Sequence, residues 1–210
     1  MTMTGSRGAA AVAERPRADL PVTPLTWQRT DTVGTELVFP RGARPHGSAI
    51  VAGARAHALT WTAEISTASE VTSLHVTSQG DGWSRELRLG RAGGGWTCRA
   101  EHAGDAGDLP FAGTEELDAI DPAALLRLGD SPIFVAWAIR RLGLTVTSGP
   151  VTVPVLRIST PALSVMPGTE TYHLVSAQRL RVTGDRPAVT YELDAAGIVV
   201  SQPGRLRLAR

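Results

Sequence analysis

The stretch SPIFVAWAIRRLGL, Ser131 to Leu144, constrains the fold more than any other part of this chain. Seven apolar residues, Ile133 to Ile139, run without interruption into two adjacent arginines. Ser131 is placed as an N-cap and Pro132 suits the first helical position. Arg140 and Arg141 fall in the last turn, and Gly143 stops it. The spacing therefore predicts a helix over about Pro132 to Leu142. A helix that is apolar on every side must be buried all round. The strands on either side of it decide how.

In HALTWTAEIS, His57, Leu59, Trp61, Ala63 and Ile65 share one face, and Thr60, Thr62, Glu64 and Ser66 share the other. That is the period of two of a half-buried strand. Trp27 to Phe39 predicts a strand pair and Ser69 to Ser78 a further strand. WSRELRLG and WTCRAE alternate again around the turns QGDG and RAGGG. Beyond Gly143 come VTVPVLRIS, TYHLVSA, QRLRVTGD, the hairpin AVTYELDAAGIVVS and finally RLRLA. Pro154 confines its strand to an edge or bulge. Ahead of the main helix, DPAALLRLG carries the Asp, Pro and Gly punctuation of a short helix of its own. The expected fold is mostly β: a long antiparallel sheet curled as a β-roll around one central helix, with a short helix before it. Each strand then turns one face to the helix and one to water. The arginine pair stands at the mouth of the roll, where it complements the negative end of the helix dipole.

No linker divides the 210 residues, so a single domain over 24–210 is expected. Residues 1–23 mix Ala, Gly, Pro and Arg without periodicity and predict a disordered tail. They lack the apolar region of a signal peptide, and no run has the length of a membrane span. A cytoplasmic protein with no transmembrane segment is expected. The formal charge is only +1, against the basic stripe that nucleic-acid binding needs. Cys98 is alone, so neither an intrachain disulfide nor a cysteine zinc cluster can form. The five histidines have no HExxH spacing, no GxSxG elbow exists, and RAGGG joins strands instead of opening a helix. No cofactor, metal or catalytic residue is expected. Glu36 and the EELDAID cluster with Asp118 are left with two readings. One is an ion pair with Arg140 or Arg141. The other is a ligand site in which an arginine forks a phosphate, a carboxylate or a sugar hydroxyl.

SPIFVAWAIRRLGL also resembles the central motif of the putative glycolipid-binding family, which usually shows Ser/Thr-Pro, then Thr-Asn-Thr-Leu-Pro-Ile, then Arg-Arg-Leu. Ser131, Pro132, Ile139, Arg140, Arg141 and Leu142 match it. Further landmarks are Trp27, Gly34, Glu36, Gly95-Trp96, Leu117-Asp118, Tyr172, the LDAAGIV hairpin and Pro203-Gly204. The resemblance implies a spiral β-roll that forms dimers, and a lipid or glycolipid ligand bound without chemistry. Acyl chains would lie between sheet and helix. Arg140 or Arg141 would hold the polar head, with Trp137, Glu36, Asp118 and Tyr172 as further contacts. Phe134-Val135-Ala136 replaces the family's Thr-Asn-Thr, about seven residues around DPAALLRLG look inserted, and Gln202 stands where a tyrosine is usual. Two alternatives stay open: a hot-dog-like acyl thioester enzyme, and a structural or dimerisation module with no small ligand.

Overall fold

The computed structural model describes residues 20, 21 and 23–209. The tail expected over 1–23 otherwise lies outside the described residues. Strands β1 (Leu25–Arg29), β2 (Gly34–Phe39), β3 (His46–Val51), β4 (His57–Ile65), β5 (Val71–Gly80), β6 (Trp83–Ala92) and β7 (Gly95–Gly104) come first, and all but β3 fall in the segments expected to be strands. Each is antiparallel to the one before it. A second series follows: β8 (Leu125–Leu128), helix α1 (Pro132–Arg141), β9 (Val151–Ile158), β10 (Val165–Ser176), β11 (Arg179–Gly184), β12 (Val189–Leu193), β13 (Val199–Gln202) and β14 (Leu206–Leu208). All fourteen belong to one sheet, ordered β7-β6-β5-β4-β3-β2-β1-β14-β13-β12-β11-β10-β9-β8. The two series therefore meet at β1 and β14, where Trp27 faces Leu208.

One pairing is not antiparallel. β8 runs parallel to β9, with Arg127 beside Arg157. Parallel neighbours cannot be joined by a hairpin and need a crossover, and α1 is that crossover. The short helix expected over DPAALLRLG is thus corrected: its Leu125–Leu128 is a strand, buried at all four residues. The helix-like start is a turn in which Asp121 Oδ1 accepts from the Ala123 N–H at 2.7 Å. Gly129 is no helix stop. It takes φ +44°, and a Cβ there would come within 2.7 Å of Thr160 Oγ1. Pro154 lies opposite Thr169 in the β10 ladder and one residue short of the β8 register, which begins at Val155, so on the β8 side it stands at an open edge.

Helix α1 follows its sequence grammar at the C-terminal end. Gly143 adopts φ +57°, its N–H bonds to Arg140 O, and Leu144 N–H reaches back to Ile139 O. That is a Schellman closure with Leu144 as its apolar anchor. Eight consecutive residues, Pro132 to Ile139, are buried. Phe134 and Trp137 meet edge-to-face at 4.9 Å, and both meet Trp61 of β4, at 5.4 and 6.0 Å. Gly47, opposite Trp61 across the β3–β4 ladder, makes room for the indole, which any Cβ there would strike. At the sheet's other end Arg85 of β6 reaches across to the β9–β10 connection. Its Nη1 donates to Ala162 O at 2.7 Å and to Pro110 O, and its Nη2 to Leu109 O at 3.2 Å. This guanidinium ties the two ends of the curl together.

Candidate functional site

The sequence-predicted residues divide between the two ends of α1. At the C-terminal end, Arg140 donates to Ala136 O at 3.3 Å and to Ala196 O, in the β12–β13 turn, at 2.7 Å. Arg141 lies 3.8 Å from Glu70, which Arg91 holds at 2.9 Å. Asp118 is exposed on a short turn of 3-10 helix, Leu117–Ala119. Trp137 belongs to the aromatic core. These four do not converge on one cleft.

Glu36 lies at the opposite end. Its Oε1 accepts from Ser131 Oγ at 2.5 Å and from Trp61 Nε1 at 3.3 Å. The N-cap hydroxyl is thereby turned away from the helix, where it makes no capping bond. Beside Glu36 is a pocket of about 50 Å³ walled by Trp27, Ala49, Leu59, Leu128 and Leu206, room for a group the size of one or two waters. Burial pushes the Glu36 carboxyl up to about 7, with Asp130 adding to the shift. The Ser131 and Trp61 hydrogen bonds and the charge of Arg29 oppose it.

Between the ordinary glutamate range and pH 7 the folded chain therefore keeps a proton that the unfolded chain gives up. Stability falls as pH rises through that window and levels off above it. Glu36→Gln, which keeps the shape of the neutral acid, is expected to remove about 2 kcal/mol of this decline. Urea unfolding of both proteins at pH 5 and pH 8 measures it, and parallel pH curves would rule it out.

Tyr172 leads to a buried polar network. Its hydroxyl donates to Glu170 Oε2 at 2.7 Å. Arg127 Nη1 donates to the same carboxylate oxygen at 3.0 Å and to Tyr172 Oη at 2.9 Å, while its Nη2 reaches Tyr191 Oη at 3.3 Å. Burial opposes the charge of Arg127, but Tyr172, Tyr191 and Glu170 outweigh it and hold the guanidinium firmly protonated. Burial likewise pushes the Tyr172 phenol up. Arg157 pairs with Asp185 at 2.8 Å and stands 3.8 Å from Glu170. Gly168 clears the space for that guanidinium, which a Cβ would strike, and Gly184 approaches the Thr169 carbonyl closely. Sequence reasoning missed Arg127, Glu170, Arg157 and Tyr191. The period-two run Glu170, Tyr172, Leu174 on an inward face was the available signal.

These groups wall a cleft of about 250 Å³, completed by Gln202, Arg186 and Arg205. Three buried polar atoms here have no hydrogen-bond partner: Arg127 Nε, Arg157 Nε and Gln202 Oε1. At the rim, Arg205 pairs with Asp130 at 2.6 Å and Asp31 at 3.1 Å, and Arg29 pairs with the same two acids. Asp130 walls both this cleft and the Glu36 pocket. Val51 and His57 in turn wall both the Glu36 pocket and a wide, open groove of about 690 Å³ that includes Ile50, Ala56, Ala58 and Trp83. The cleft, the pocket and the groove thus stand side by side, with the pocket against Ser131 at the start of α1.

A family model described as "Putative glycolipid-binding" matches residues 24–207. Among solved structures, a DUF1089 family protein from Pseudomonas aeruginosa is similar in fold, with a TM-score of 0.64 and 20% identity. The likeness covers 91% of this chain and 97% of that one. No curated protein matches the chain. Among the described residues, no helix is long and apolar enough to cross a membrane.

Proposed function

Because the chain belongs to the putative glycolipid-binding family, we propose that it binds a sugar-bearing amphiphile and performs no chemistry on it. The observation that carries this reading is the adjacency of a polar cleft, a small pocket and an apolar groove. The head group would occupy the cleft between Arg127, Tyr191 and Gln202. At about 250 Å³ the cleft suits a head group better than a whole lipid. The acyl portion would lie along the open groove at Ile50 and Trp83. The route between sheet and helix is already filled by the buried faces of Phe134, Trp137 and Ile139. Each methylene covered is worth up to about 0.8 kcal/mol, so partial cover of a chain gives affinity with little demand on its identity. Arg140 and Arg141 lie at the far end of α1 from this track, and in this reading they anchor the helix end.

Native mass spectrometry of protein purified without detergent tests the proposal. A one-to-one adduct of lipid mass, lost on organic extraction and regained on incubation with total cell lipid, is expected. A clean unliganded mass after the same incubation would sink the proposal and favour a module without a small ligand.

A further inference from the structure

Resting on that reading, we infer that the head group is acidic: a sugar or polyol carrying a phosphate or carboxylate, whose charge is met by Arg186. Arg29 and Arg205 are matched by Asp31 and Asp130 at the rim of the cleft. Arg127 and Arg157, which line it, are matched by Glu170 and Asp185. Arg186, which also lines the cleft, has no carboxylate partner among the described residues. It is exposed on the β11–β12 connection and precedes Pro187, which biases its backbone toward an extended form. A guanidinium at a cleft mouth offers a fork to a carboxylate or phosphate.

The floor supplies the second, independent observation. Gln202 is 8% exposed, and its Oε1 is buried without a partner. The Nε atoms of Arg127 and Arg157 are likewise buried and unpartnered. Buried polar atoms left unpaired are costly, by about 1–3 kcal/mol each, and a ligand whose polar groups reached this floor would relieve that cost. An unpaired amide oxygen accepts from a hydroxyl, and the two N–H groups donate to a hydroxyl or acid oxygen. Hydroxyls against Gln202 with acid oxygens toward Arg186 answer the unpaired amide and the odd charge together. A neutral sugar would leave the odd positive charge unanswered.

Isothermal titration with α-glucose 1-phosphate, glucose, octyl glucoside and phosphatidylinositol in neutral micelles tests the inference on the intact chain and on Arg186→Gln. Either acidic probe is expected to bind the parent, to weaken with added salt, and to lose about tenfold in affinity in the variant. The water-soluble phosphate binding alone would identify a free sugar acid, and the micellar one binding alone a lipid head group. Arg186 is exposed and unpaired, so the variant folds as the parent does, which thermal unfolding verifies. Equal binding of the neutral and acidic probes, unaffected by Arg186→Gln, would overturn the acidic head group and leave the amphiphile reading standing. Silence from every probe would overturn it too, and the lipid adduct then judges the broader reading by itself.

Discussion

Trp137→Ala is expected to lower the free energy of unfolding by about 4 kcal/mol. Trp137 is 2% exposed and is gripped on two sides by the rings of Trp61 and Phe134. Its removal would leave a void between helix and sheet that neither can fill, because α1 is tied at both ends. Pro132 and the Ser131–Glu36 bond fix its start, and the Gly143 closure fixes its end. Urea denaturation gives the value from the midpoint at unchanged slope. Val33→Ala, at a residue 77% exposed, serves as the comparison and should move stability by less than about 0.5 kcal/mol. A Trp137→Ala loss below about 1 kcal/mol would mean that the sheet does not depend on packing against the helix.

The second large effect is expected at Arg127. Arg127→Met takes from Glu170 and two phenols the cation they bond directly and leaves Glu170 only Arg157 at 3.8 Å, at a cost of about 3–5 kcal/mol. The loss comes from the stranded acid more than from the pair itself. The double variant Arg127→Met, Glu170→Leu should therefore recover more than half of it. A double-mutant cycle by urea unfolding measures this, with a coupling of about 2 kcal/mol or more expected. If the double variant were no more stable than the single one, the network would be contributing something other than mutual charge compensation.

Most of the architecture was legible because its signals are local. The period of two along β4 to β7 and β10 to β13, the Gly-rich turns, and the caps of α1 are each written within a dozen residues. β8 was not legible. Leu125 to Leu128 is apolar but for one arginine and is flanked by Asp-Pro and Gly, a pattern equally good for a helical turn. It is a strand because β9 offers a ladder and because both of its faces are covered, which no local signal states. The same gap hid the cleft. Arg127, Glu170, Tyr191 and Gln202 come from four strands and meet only through the curl. Glu36 and Tyr172 were legible as landmarks, and each does stand in a polar network. Arg140 and Arg141 were legible as helix-end charges, and a backbone carbonyl and Glu70 occupy them. Two of the departures from the family pattern, the segment around DPAALLRLG and Gln202, contribute walls of the cleft.

The strand order has a consequence for how the chain reaches this state. Within β1 to β7 and within β9 to β14 every pairing joins sequence neighbours, so each half can zip up rapidly from contacts of short loop length. The seam between β1 and β14 is different, since Trp27 meets Leu208 across nearly the whole described chain. During synthesis the first half emerges with the open edge of β1 unpaired until the last strand has been made, and an unpaired edge invites pairing with other chains. α1 arrives midway between the two halves. The nascent protein must therefore hold an apolar face and a bare edge in reserve, and the closing of one seam by three residues of β14 ends that exposure.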